Sequence, residues 1–270
     1  MSRFRLGRAA PKYFALARAS ARRAWAERAV LAGRVVFLGV ILFIFSRVWD
    51  TVLARGEVTV SGAGRAELIW YLAVTEICVL SVPLTFLAIE ADVRSGDIAS
   101  RLVRPVSYVG AMLAEALGET SLRLLVLGPA GALFAIGLAG GWPADPRGLA
   151  FAVPLGVLAS LLAVLSTAAI GLSAFWIVDT SPVYWIWQKL AFVLGGLLLP
   201  LELYPDWLRA IARFSPFPAM VWGPGRMAFG YAPAAALETA LELLVWSALA
   251  AAGLAWLSRR ARLRLTVNGG

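Results

Sequence analysis

Long apolar runs separated by short polar or charged intervals set the pattern of this chain. Six of them, residues 31–52, 68–87, 122–138, 149–178, 183–199 and 236–257, are near or above the ~20 residues that a bilayer core requires. They predict an all-α integral membrane protein with six transmembrane helices in a single transmembrane domain over residues 1–270. The third run is preceded by a helix-compatible stretch that begins near Val106. A helix over 106–138 would reach roughly 50 Å at 1.5 Å per residue, against a core of ~30 Å, so its first turns should project beyond the bilayer. Gly128 and Pro129 predict a kink within it.

Between the second and third runs lies Ile89–Tyr108, IEADVRSGDIASRLVRPVSY, which contains Glu90, Asp92, Arg94, Asp97, Arg101 and Arg104. It cannot lie in hydrocarbon, where one charge costs roughly 2.5–3.5 kcal/mol. It predicts a charged helix held at the membrane surface by spans on both sides. Residues 1–28 predict a surface segment: in 12–28, Phe14, Ala17, Ala21 and Trp25 recur at spacings of three and four, with Arg18 and Arg22 on another face. That is the pattern of an amphipathic helix lying in the interface. Residues 200–232 place Trp207, Leu208, Ile211 and Phe214 at helical spacing, then a Pro/Gly-rich stretch with Trp222. Such a segment lies in the interface or dips back as short re-entrant helices packed against protein. Residues 258–270 form a basic tail.

The chain is 60% hydrophobic with a mean hydropathy of +0.78, well above the ~45–50% apolar share of a soluble domain. Its net charge of +9 would suit nucleic acid. The basic residues, however, gather at the chain ends and in one loop, which in a membrane protein reports topology, and no nucleic-acid partner is expected. On the six-span reading, fifteen basic residues fall on the side of the termini and Ile89–Tyr108 and seven on the other. Both termini and that segment are therefore expected in the cytoplasm, with the protein multi-pass in a bacterial cytoplasmic (inner) membrane. The first run is long enough to span and lacks a small-residue cleavage signal, so it reads as a retained span.

Cys78 is the single cysteine and histidine is absent, which excludes an intrachain disulfide, the usual zinc sites and a histidine triad. The chain has no GxxxxGK[ST] phosphate loop, nucleophile elbow or HExxH pair. No catalytic residue, metal ligand or cofactor site is expected in it, and it cannot be its own ATPase.

Charges within the spans mark candidate pathway residues. Glu76 lies among apolar neighbours, and the sequence leaves three roles open: lining a polar cavity, pairing with a basic residue such as Arg123, or carrying a proton. Glu119 and Arg123 stand at i, i+4 with the acid first, a favourable helical pair; with Glu115 they read as an interface-level charged stripe. Trp176, Tyr184, Trp185 and Trp187 suit an aromatic belt, and Glu238 and Glu242 face a vestibule or meet Arg209, Arg213 or Arg226.

Taken together, the chain resembles the membrane subunits of type-2 ATP-binding-cassette (ABC) exporters, in particular their short permeases. Three features carry the resemblance: Glu90–Ile98 with Leu102 and Pro105; the amphipathic N-terminal helix; and the region of Gly195, Gly196, Pro200, Leu201, Tyr204, Pro205, Trp207 and Leu208 followed by Pro216, Phe217 and Pro218. In that family the first feature is the coupling helix that docks on the ATPase, and the third is an external re-entrant region before the last span. The resemblance implies ATPase-coupling roles for Glu90, Asp92, Arg94, Gly96, Asp97, Ile98, Arg101, Leu102 and Pro105. It also implies re-entrant roles for Pro200, Pro205, Trp207, Pro216 and Pro218, leaving Glu76, Glu119 and Arg123 as intramembrane polar candidates. It further implies an ABC ATPase subunit holding ATP and Mg, a second permease chain that is a copy or a homologue, and export of a hydrophobic or amphipathic compound. An ion-coupled secondary transporter using Glu76 and a non-transporting membrane scaffold are the competing readings.

Overall fold

A computed structural model describes residues 6–54, 64–102 and 106–268 of the chain. In order, the helices are α1 (Leu6–Ala26), α2 (Arg28–Ala54), α3 (Arg65–Ser81), α4 (Thr85–Ser95), α5 (Asp97–Leu102), α6 (Tyr108–Ala139), α7 (Leu149–Leu172), α8 (Ser181–Leu194), α9 (Asp206–Arg213), α10 (Phe217–Met220), α11 (Trp222–Gly225) and α12 (Pro233–Asn268). Short 3-10 turns occupy 146–148, 173–175, 201–203 and 226–229, and no strand occurs among the described residues. Five helical stretches are long and apolar enough to cross a membrane: Arg28–Ala54, Arg65–Ser95, Tyr108–Ala139, Pro146–Phe175 and Pro233–Leu263. Their outward faces are apolar. On α2, Val36, Phe37, Val40, Phe43 and Ile44 point away from the protein, and on α12 so do Leu237, Leu241, Leu244 and Val245. A helix apolar on its outer face as well as its inner one belongs in hydrocarbon.

Three packed cores hold the bundle. Leu38, Leu42, Ile69, Leu72 and Leu127 join α2, α3 and α6. Leu155, Leu162, Met220, Met227 and Leu243 join α7 and α12 to the segment before α12. Ile89, Ile98, Tyr108, Met112, Leu172 and Leu254 knit α4, α5, α6, α7 and α12 at one end of the bundle. We call that end, which also holds α1, proximal. At the opposite, distal end Arg65 pairs with Asp50, the Ala144 N–H donates to Glu67 at 2.9 Å, and the Tyr231 N–H donates to Asp145 at 3.2 Å.

The N-terminal helix packs through a different face from the one its aromatics suggest. Tyr13, Ala17, Ser20 and Ala24 are turned inward, while Phe14 and Trp25 are exposed with Arg18 and Arg22. Small residues win this face because helices in lipid associate by close backbone approach. A Cβ on Gly118 of α6 would lie 2.0 Å from the Ala17 carbonyl oxygen, so only glycine fits there. Exposure of Phe14 and Trp25 agrees with the expected contact with lipid.

The charged segment is not one helix. Val82 is extended (φ −78°, ψ 128°), as a residue before proline must be, and the second span breaks at Pro83. The helix resumes as α4 and carries the chain through Ile89 to Ser95. Gly96, at φ 79°, closes α4 in the left-handed region, and the six-residue α5 follows. The long third helix starts at Tyr108, where the Gly110 N–H donates to the Ser107 hydroxyl at 3.3 Å. Its 32 residues run as one helix that contains Pro129, about 48 Å at 1.5 Å per residue.

The run expected to form a fifth span over 183–199 instead gives α8, of 14 residues, only about 21 Å long. Gly195 and Gly196 end it, and the chain turns back through Pro200 into α9, α10 and α11. Backbone freed from helical bonding must find other partners inside a membrane protein. Here side chains supply them: Tyr71 donates to the Gly196 carbonyl, Thr75 to that of Leu197 at 3.0 Å, and Tyr204 to that of Val193. Arg209 donates to the carbonyls of Leu201 at 3.1 Å and Tyr204 at 2.8 Å.

Candidate functional site

At the proximal end, α4 and α5 form a two-helix elbow between the second and third spans, and its charges divide into two sets. Glu90 and Asp92 are turned into the protein, 6% and 7% exposed. Glu90 accepts from the Thr180 N–H at 2.8 Å and from the Thr180 hydroxyl, and pairs with Arg94 at 3.2 Å. Arg94 also donates to the Val178 carbonyl at 2.8 Å. Asp92 accepts from the Tyr108 hydroxyl at 2.9 Å and pairs with Arg101 at 3.2 Å. The first carboxylate therefore fastens α4 to the connection between α7 and α8, and the second fastens it to the start of α6.

The remaining surface of the elbow is open. Ala91, Arg94, Ser95, Gly96, Asp97 and Ser100 are exposed, whereas Ile98 is buried in the proximal core. Asp97 opens α5, where a carboxylate complements the helix dipole. Pro105 lies outside the described residues, and of Leu102 only the backbone is described. Beside the elbow, the Ser181 N–H and hydroxyl hold the Asp179 carboxyl below its ordinary range.

Among the intramembrane candidates, Glu76 is buried on α3 and has no ion pair among the described residues. Arg123 pairs with Glu119 on its own helix, not with Glu76. These two line a polar cleft of about 410 Å³ between α1, α2, α4 and α6, together with Arg34, Thr85, Glu27 and Glu115. At its α1 side Arg23 meets Glu115 at 3.3 Å.

At the distal end Trp207 and Ile211 of α9 and Phe214 just after it are exposed, and Pro205 with them. Pro200 and Pro218 are buried and Pro216 is half-buried. The pieces after Pro216 sink into the bundle against α3, α7 and α12. Arg226 lies over the Trp222 ring at 4.2 Å from its centre and meets Glu238 at 3.1 Å, one of the pairings anticipated for that acid. The inner aromatics form a stack, not a belt alone: Tyr184 lies on Phe86 with ring centres 4.2 Å apart.

Sequence reasoning passed over Thr180, Arg34 and Thr85. Arg34 carried a signal, a guanidinium inside the first apolar run; Thr180 and Thr85 carried none, because their importance lies in partners far along the chain.

The fold defines a polytopic helical membrane protein with polar connections at both ends of the bundle. The chain matches the family described as ABC-2 family transporter protein over residues 48–261. That stretch is most of the chain, and the protein belongs to the ABC-2 transporter family. Members of this family are transmembrane components and not themselves the ATPase, which implies an ABC ATPase partner and a lipid bilayer around the helices. No individual curated protein matches the chain.

Proposed function

We propose that this chain is the permease subunit of an ABC exporter that moves a hydrophobic or amphipathic compound outward across the bacterial inner membrane. ATP and Mg are bound and turned over in a separate subunit. The observation that carries the reading is the elbow of α4 and α5: in a chain of this family, it offers an exposed charged surface whose other side is fastened to α3, to α6 and to the chain entering α8. An ATPase pressing on Arg94, Ser95, Asp97 and Ser100 would load α3 through α4, α6 through Asp92, and α8 through Glu90. Family membership favours this reading over an ion-coupled carrier built on Glu76. The proximal end then faces the cytoplasm, with both termini, and the segment from Pro200 through Pro218 lies outside. A second permease chain, a copy or a homologue, completes the pathway.

The test is a photo-crosslinking residue at Ser95 of the full chain, expressed in its native host. The expected adduct contains a subunit with a phosphate-loop ATPase sequence, and the same residue at Val245 on the lipid face of α12 gives none. An adduct at Ser95 lacking any ATPase would overturn the assignment.

A further inference from the structure

The polar cleft between α1, α2, α4 and α6 holds more hydrogen-bond donors than the protein satisfies. Arg123 and Thr85, each more than nine-tenths buried, line it. Arg123 Nη1 and Thr85 Oγ1 have no hydrogen-bond partner, and neither does the buried Nε of Arg34. Arg34 spends one Nη on the Leu80 carbonyl at 2.8 Å and makes no ion pair among the described residues. Buried donors, charged ones above all, are costly to leave unmatched.

The charges around the cleft say what would match them. Arg23 pairs with Glu115 and Arg123 with Glu119, whereas Arg34, which feels the Glu119 carboxylate only at a distance, has no ion-pair partner among the described residues. Glu27, the remaining carboxylate, is exposed at the rim. Water would satisfy the hydrogen bonds but would not give Arg34 a direct ion pair. An oxyanion does both, since guanidinium groups grip phosphate oxygens through several N–H donors at once. Glu27 at the rim limits the charge to a single phosphate.

Placement favours a membrane source. Arg34 lies in the second turn of α2, about 9 Å from its start, where long basic side chains reach headgroups. Leu84, Ala88 and Met112 make the neighbouring wall apolar. We infer that the cleft is a binding site for one phosphate group, held by Arg34, Arg123 and Thr85, with a phospholipid headgroup of the proximal leaflet as its natural occupant. The site stands independently of the ATPase assignment.

The experiment uses native mass spectrometry of the detergent-purified full chain titrated with phosphatidylglycerol, with a galactosyl diacylglycerol of the same tails, and with inorganic phosphate as competitor. The phospholipid should bind at least tenfold more tightly than the phosphate-free lipid, and Arg34→Gln should abolish that preference. Millimolar phosphate that displaces the lipid completely would identify a soluble phosphate as occupant of the same site; failure to displace it fixes the headgroup. Equal binding of the two lipids, or an unchanged preference in Arg34→Gln, would overturn the proposal. Should Arg34→Gln not fold, Thr85→Val keeps every charge and nearly the same volume; it must then lower the preference, and an unchanged one overturns the site.

Discussion

Thr180 gives both its backbone N–H and its hydroxyl to one carboxylate oxygen of Glu90, ninety positions earlier in the chain. A glutamate that looks from its sequence like a docking contact is thus an internal tie between α4 and the chain entering α8. Asp97, seven residues on, is open to solvent.

The two acids should therefore separate stability from partner binding. Glu90→Ala leaves the buried Thr180 N–H and hydroxyl without their acceptor, and each stranded donor costs about 1–3 kcal/mol. At roughly 2–4 °C per kcal/mol for a chain of this size, the melting midpoint in detergent should fall by at least about 4 °C. Asp97→Lys should leave the midpoint in place and weaken retention of the ATPase on co-purification. Equal midpoints for the two variants would show that Glu90 holds nothing together.

Gly118 sets the seat of α1. Adding a side chain there, as in Gly118→Val, forces the Ala17 backbone away and should free α1 from α6. Trypsin cleavage at Arg18 and Arg22 in proteoliposomes should accelerate by about tenfold or more, the factor that about 1.4 kcal/mol of lost packing gives when cleavage follows the open population. Unchanged cleavage would place the seat of α1 elsewhere.

Orientation has a direct reading. In a chain carrying Cys78→Ala, a cysteine replacing Tyr231, which is exposed at the distal end, should react with an impermeant thiol reagent applied to intact cells. A cysteine replacing Ser95 should react only after permeabilisation. The reverse pattern would invert the protein in the membrane.

The distal connection should titrate at unusually low pH. The Arg147 side chain, then backbone N–H groups of Arg147 and Tyr231, hold the Asp145 carboxyl at about 2. Because the folded value is depressed, its stabilisation is complete above the ordinary carboxylate range, near ~3.9, and is lost as pH falls through about 2. An NMR titration of ¹³C-labelled aspartate should show one resonance with that midpoint, and Arg147→Gln should return it toward the ordinary range. A midpoint near the ordinary value in the unaltered chain would mean that the pair does not form.

Hydropathy found the long helices well, since composition alone decides whether a helix tolerates lipid on its outer face. The first span and the last lie inside α2 and α12, and the early start of the third, near Val106, falls two residues from Tyr108. Composition carries no direction, however. The run 183–199 is apolar apart from Gln188 and Lys189, and what holds its turn after Leu194 is the pair of hydroxyls on Tyr71 and Thr75 that donate to the carbonyls of Gly196 and Leu197. In the elbow, charge was legible and its facing was not: Glu90 and Asp92 read like Asp97 until Thr180, Tyr108 and Arg101 close on them. In the N-terminal helix the outward facing of Phe14 and Trp25 was legible, but not that Ala17, set on the same face by its spacing, would join Tyr13, Ser20 and Ala24 in the joint with α6.

That joint reaches further than packing. The Ser107 N–H, at the head of α6, donates to the hydroxyl of Tyr13 at 3.2 Å, so a residue of the first helix finishes the opening turn of a helix nearly a hundred positions away. Tyr13 lies ahead of residue 48, where the family match begins. A shortened version of this protein trimmed to the matched region would keep every span after the first and still begin its longest internal helix with a bare amide, missing a part that only the first helix supplies.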